Sequence, residues 1–156
     1  MDYSIVSKEI RDLVEREMPI LNSLDEETVS KRYNSQDRNI KMILGHLVDS
    51  ANNNLQRIVR LQYTPQLVFP DYTQDNDLWI FLQDYRNYDW QELTELWKCS
   101  QFQIAHIIRE IDDSYIDNFW IDYQGNKVSL NRMVYSYPEH LNLHINQIHK
   151  LIYEPR

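Results

Sequence analysis

Cysteine occurs once in the 156 residues, at Cys99, which excludes an internal disulfide and a metal knuckle built from several thiolates. Glycine is nearly as scarce, with 2, and there are 5 prolines. A many-stranded sandwich or barrel needs more turn residues than that, so the expected class is all-α. Basic charge is also short: 16 Lys and Arg stand against 24 Asp and Glu, a formal net charge of -8, and no basic cluster appears. No nucleic-acid partner is expected, because non-specific binding to phosphate backbones rests on clustered Lys and Arg. No apolar run approaches membrane-spanning length, and the opening Met-Asp-Tyr-Ser-Ile lacks the basic-then-apolar layout of a secretory signal. With the single thiol, this points to a cytoplasmic protein without a membrane partner.

What is present is 42% hydrophobic side chains, enough for one globular domain over residues 1–156 that buries roughly 70% of its unfolded surface. Ile10, Leu13, Val14, Met18, Leu21 and Leu24 recur at spacings of three and four, predicting a first helix over residues 4–23. Pro19 removes a backbone donor inside it, so a kink or an early stop near Met18 is expected. Residues 25–37 are polar and read as a connection, with a short helical turn at its start. The second helix spans residues 40–62 behind an Asn39 N-cap, and Ile40, Ile43, Leu44, Leu47, Val48, Ala51, Leu55 and Ile58 share one broad apolar arc.

Residues 63–87 are irregular and aromatic, broken by Pro65 and Pro70, with a turn at Asp71-Tyr72 and a short helix at residues 77–82. They read as a long connection over the end of a bundle, its aromatics supplying buried area and, compatibly, a pocket wall. Asp89-Trp-Gln-Glu92 is a capping box that opens the third helix. Its buried stripe is Leu93, Leu96, Trp97, Ile104, Ile107, Ile108 and Ile111. His106 lies opposite that stripe, and Cys99, with no basic residue in the following turn of helix and no partner, reads as a small packing residue. Residues 115–130 look like two short extended arms around Gln124-Gly-Asn126, too short for a sheet. Ser129 then caps a fourth helix with a stripe of Leu130, Met133, Val134, Tyr137, Leu141, Ile148 and Ile152. Pro138 either bends that helix or marks its true start, with Ser136 and Glu139 as a capping box.

The histidines carry the chemistry. His140 and His144 stand one turn apart at the edge of the fourth helix's stripe, where two imidazoles can close on one metal ion. The alternative for each is a neutral, hydrogen-bonded core residue, for an isolated His-x-x-x-His pair is a weak signal; but burying both without partners is costly. His149 lies well round the cylinder and faces out, as His106 does. A third ligand such as His46 would leave one coordination position open, the pattern of a reactive site. Spacing alone does not choose that ligand. His46 lies on the flank of the second helix's arc, in a strip with Met42, Asp49, Asn53 and Arg57. Such a strip ordinarily faces solvent; the alternative is a cleft, with Asp49 orienting His46 through its other ring nitrogen.

Ile43-Leu-Gly-His46-Leu-Val-Asp49-Ser-Ala-Asn-Asn and Tyr137-Pro-Glu-His140-Leu-Asn-Leu-His144-Ile-Asn-Gln-Ile148, in this helix order, resemble the DinB/YfiT family over essentially the whole chain. The resemblance implies a four-helix bundle with long connections between helices two and three and between helices three and four. It also implies a divalent metal, nickel or zinc, held by His46, His140 and His144, and a homodimer. Relatives include metal-dependent hydrolases and thiol-dependent transferases, so the expected function is a metal-dependent enzyme acting on a small molecule. Asp49 would then serve as proton acceptor or orienting group, and Asn53 would orient substrate. The rival is a non-catalytic metal- or ligand-binding bundle acting through a protein partner. The chain departs from the family in having Arg38-Asn39 for the usual Trp-Ser, Met42 for a capping Glu, and Pro138 before the histidine pair.

Overall fold

The computed structural model describes residues 2–68 and 75–154. Six helices lie among them: α1 (Ser4–Asn22), α2 (Glu26–Lys31), α3 (Ile40–Leu61), α4 (Asn76–Leu82), α5 (Trp90–Arg109) and α6 (Leu130–Tyr153). The starts of α3, α5 and α6 follow cap chemistry. The Asn39 Oδ1 accepts the Met42 N–H at 2.9 Å, Asp89 Oδ1 the Glu92 N–H at 2.9 Å and Ser129 Oγ the Arg132 N–H at 3.2 Å. Each satisfies an amide that the first turn otherwise leaves unpaired.

Neither interior proline ends its helix. α1 runs through Pro19 to Asn22, and α6 begins at Leu130 and runs through Pro138, so of the alternatives the sequence left open at each proline the early stop and the late start are excluded. Met18 and Leu21 flank Pro19 in the core, and Tyr137 and Leu141 flank Pro138. Burial of such side chains, about 2 kcal/mol each, outweighs a proline penalty of about 3 kcal/mol.

The long helices α1, α3, α5 and α6 form the four-helix bundle, in which α1 and α3 each pack against both α5 and α6. Apolar stripes from all four, including Ile10, Leu44, Trp97 and Ile148, meet in one core. The third helix's stripe is less regular than expected: Leu96 is exposed, Ile107 is half-buried, and Gln101 is fully buried between them. Gln101 accepts the Tyr137 hydroxyl at 2.7 Å and donates to the Leu47 carbonyl at 3.3 Å, joining α5 to α6 and α3. Cys99 is exposed and does not pack. His149 is not a plain surface residue either. Its Nε2 lies 2.6 Å from Glu17 Oε2, a buried carboxylate on α1 that Arg16 also meets at 2.8 Å.

The two long connections pair with each other. β1 (Gln66–Leu67) runs parallel to β2 (Phe119–Ile121), with Leu67 opposite Trp120, and β2 runs antiparallel to β3 (Lys127–Ser129), with Trp120 opposite Val128. This three-stranded sheet corrects the expectation that residues 115–130 make none; its first strand comes from a segment more than fifty residues earlier. Gly125, at φ 82, supplies the left-handed turn between β2 and β3. Tyr63 and Phe81 in the first connection are exposed, and Tyr85 is its fully buried aromatic among the described residues. Phe69, Pro70 and the Asp71-Tyr72 turn lie outside the described residues.

Candidate metal centre

α3 is covered on more than one side, by α5 and α6 and by α4 and the small sheet. Its polar strip is therefore buried rather than solvated: His46, Asp49, Asn53 and Arg57 are each less than a tenth exposed, and Met42 is half-buried. The solvent reading of that strip is overturned.

His46 faces α6 at the point where α6 presents His140 and His144. Ring centroids are 4.7 Å apart for His46–His144 and His140–His144 and 5.7 Å for His46–His140, all edge to face. One ring nitrogen from each lies within 4.8 Å of the others, a spacing that small ring rotations close onto a single ion. His46 and His144 are buried and His140 is half-buried.

Burial sets the charge of the three rings. It holds His46 down to about 3, with the charges of His144 and His140 adding to the effect. It holds His140 down to about 4, again with His144 contributing. His144 is lowered by burial, against a Gln147 hydrogen bond that favours its charged form. All three imidazoles are thus neutral near pH 7 and keep a lone pair for a cation. Gln147 stands 3.0 Å from His144 Nδ1. With its Oε1 as acceptor, Nδ1 carries the proton and Nε2 is left as the donor atom toward an ion. Buried His46 Nδ1 has no hydrogen-bond partner among the described residues. An unsatisfied buried nitrogen is costly, and a divalent ion is a group that satisfies it without adding a proton. The donor set therefore fits zinc or nickel, both of which take imidazole readily.

Asp49 does not serve His46. Its Oδ1 accepts Gln83 Nε2 at 2.6 Å and the Tyr85 hydroxyl at 2.7 Å, and it does not line the cleft beside the histidines. Three residues on from His46, it is rotated about 60° round α3, toward the segment that carries Tyr85. Gly45 permits this: a Cβ there would lie 2.2 Å from the Tyr85 ring. Burial raises the Asp49 carboxyl, and its two hydrogen bonds oppose that rise.

The cleft has a volume of about 620 Å³, with the three histidines at one place on its wall. Asn53 lines it, as the cleft alternative for its strip required. Arg57, from the strip for which a cleft was the alternative reading, lines it too, and so do Arg38, Trp120 and Gln147, which sequence reasoning did not assign to the site. Gln147 was visible in principle, since position i+3 from His144 shares its helix face. Trp120 gave no signal, because only pairing of β1 with β2 brings it across. His106 is exposed and apart from the group, as expected.

The DinB superfamily matches residues 11–148 of this chain. No curated protein matches it. Among solved structures it is similar to YfiT from Bacillus subtilis, described as a probable metal-dependent hydrolase with an unusual four-helix bundle topology. The two share 17% identity at a TM-score of 0.78, covering 96% of this chain and 83% of that one, a likeness of fold. By its sequence match over most of its length, with the bundle and the histidine group in agreement, the chain belongs to the DinB superfamily.

Proposed function

We propose that this protein is a metal-dependent hydrolase acting on a small molecule, with nickel or zinc held by His46, His140 and His144. The observation that carries the reading is the convergence of three neutral imidazoles from two helices on one edge of an open cleft. An ion there supplies Lewis acidity at neutral pH, and three protein ligands leave room for a substrate atom. The chain's own groups do the rest. Gln147 keeps His144 in one tautomer, and the Tyr137–Gln101–Leu47 bonds hold α6 against α5 and α3 at the level of the site. Asn53, on the cleft wall, orients the substrate. Among the described residues no helix is long and apolar enough to cross a membrane. A cytoplasmic homodimer completes the reading.

The test is elemental analysis of the untagged protein and of His46→Ala, His140→Ala and His144→Ala, with His106→Ala as control. About one nickel or zinc per chain is expected, lost in the three variants and kept in the control. The loaded protein is then assayed on activated esters and amides and, separately, with thiol donors and acceptors. Turnover only with thiols makes it a transferase, and a loaded protein inert to all of them makes it a binding bundle. Failure to take up any ion refutes the metal site.

A further inference from the structure

Three imidazoles bring no negative charge to an ion, and the cleft beside them adds none: among the described residues no Asp or Glu lines it. What the lining adds near the histidines is positive. Arg38 lines the same cleft, and its charge reaches the rings. Burial is the main reason that His46 and His144 stay neutral, and Arg38 works in the same direction at both; at His46 the opposing charge of Asp77 is the smaller of the two. A guanidinium near enough to act on two ligands also repels the divalent ion they would hold. A ligand that carries negative charge between the two removes that repulsion.

Nothing local asks for a cation at this position. Arg38 directly precedes Asn39, the N-cap of α3, and the start of a helix carries a partial positive charge that favours acids over bases. Its partner among the described residues is Asp77, whose Oδ1 accepts Nε at 3.0 Å and Nη2 at 2.7 Å. The match is uneven. The Arg38 side chain is 9% exposed and that of Asp77 75%, so water screens the carboxylate far more than the guanidinium. Those two bonds use one edge of the guanidinium and fix its plane. The other edge, Nη1 with the second hydrogen of Nη2, has no hydrogen bond among the described residues and is a fork suited to an anion with two oxygens.

We propose that Arg38 is a specificity-determining residue of the metal centre: the ligand taken beside the ion is a carboxylate, one oxygen toward the ion and the other on the second fork of Arg38. The inference rests on the metal reading above and deepens it. A carboxylate is what hydrolysis of an ester or amide releases from its acyl half, whereas a thiol offers one donor atom and cannot engage the ion and the fork together.

The experiment uses the full-length protein loaded with cobalt(II), its metal content measured first, so that visible absorption reports ligands entering beside the ion. Acetate is titrated in parallel with imidazole, a neutral ligand that seeks the ion alone, at constant ionic strength so that screening is equal. In Arg38→Met acetate is expected to bind about tenfold more weakly, as the loss of one charge-assisted hydrogen bond predicts, while imidazole keeps its affinity. Arg38→Lys, which keeps the charge without the fork, recovers part of the loss. Should Arg38→Met fail to fold by circular dichroism, Arg38→Gln, which can still meet Asp77, decides by the same ratio of acetate to imidazole affinity. An unchanged ratio, or an equal loss for both ligands, overturns the inference, and so does a loaded wild-type protein that takes no acetate. A wild-type protein that takes up no metal refutes the underlying metal reading and this inference with it; a loaded protein whose acetate affinity ignores Arg38 overturns this inference alone.

Discussion

Gly45→Ala tests the packing behind His46 with a sign that runs against helix propensity. In an ordinary helix interior this change stabilises by about 1 kcal/mol, because glycine loses more backbone entropy than alanine. Here the new Cβ would lie 2.2, 2.3 and 2.6 Å from three Tyr85 ring carbons, against an ordinary carbon contact of about 3.5 to 4 Å. Tyr85 is 2% exposed and has no room to retreat without disturbing its neighbours. Overpacking of that kind costs about 1 to 3 kcal/mol. If the ring leaves, the hydroxyl withdraws from Asp49 Oδ1, and a buried carboxyl whose Oδ2 has no partner among the described residues loses a bond of about 1.5 to 3 kcal/mol. After the propensity gain, the net is a destabilisation of about 3 kcal/mol. Urea denaturation of the metal-free protein followed by circular dichroism measures it, in the wild-type and in a Tyr85→Ala background. With the ring removed, Gly45→Ala should become neutral or stabilising. The same cost in both backgrounds, or a variant as stable as wild type, refutes the packing account.

Four further outcomes are expected. The metal-free chain loses stability as pH falls below about 6.5, because unfolding frees His46 and His140 from pKa values of about 3 and about 4 to take up protons. At pH 5 each accounts for up to about 2 kcal/mol, so a His46→Gln/His140→Gln variant should show a flatter profile of urea midpoint against pH. Gln147→Ala frees the His144 ring and weakens metal affinity about ten- to a hundredfold in chelator competition, with the fold intact by circular dichroism. Asn39→Ala removes both the cap on Met42 N–H and a bond to the Ser30 carbonyl at 3.1 Å, for about 2 kcal/mol in the same denaturation assay. Asp49→Asn leaves metal content unchanged by elemental analysis, since Asp49 meets Gln83 and Tyr85 rather than a histidine.

The all-α class, the four long helices, the capped starts of three of them and the pairing of His140 with His144 were legible in the sequence. These are local matters: a stripe every three to four residues, a cap oxygen beside its amide, two imidazoles one turn apart. It also separated exposed His106 from the inward pair. The DinB resemblance supplied His46, which periodicity had set on the flank of its helix. That the flank is covered follows from packing, because a helix in contact with α5, α6 and the small sheet buries more than one stripe, whereas the spacing of apolar residues marks only the most apolar of them. The same limit explains the rest. Asp49 turned to Tyr85 because Gly45 lets a ring approach from a segment forty residues away in the chain. His149 found Glu17 across the α1–α6 contact, and Trp120 reached Arg57 through a strand pairing between two connections, one read as irregular and the other as extended arms too short for a sheet. Each of these depends on which distant segment arrives, and a local pattern of residues carries no record of that.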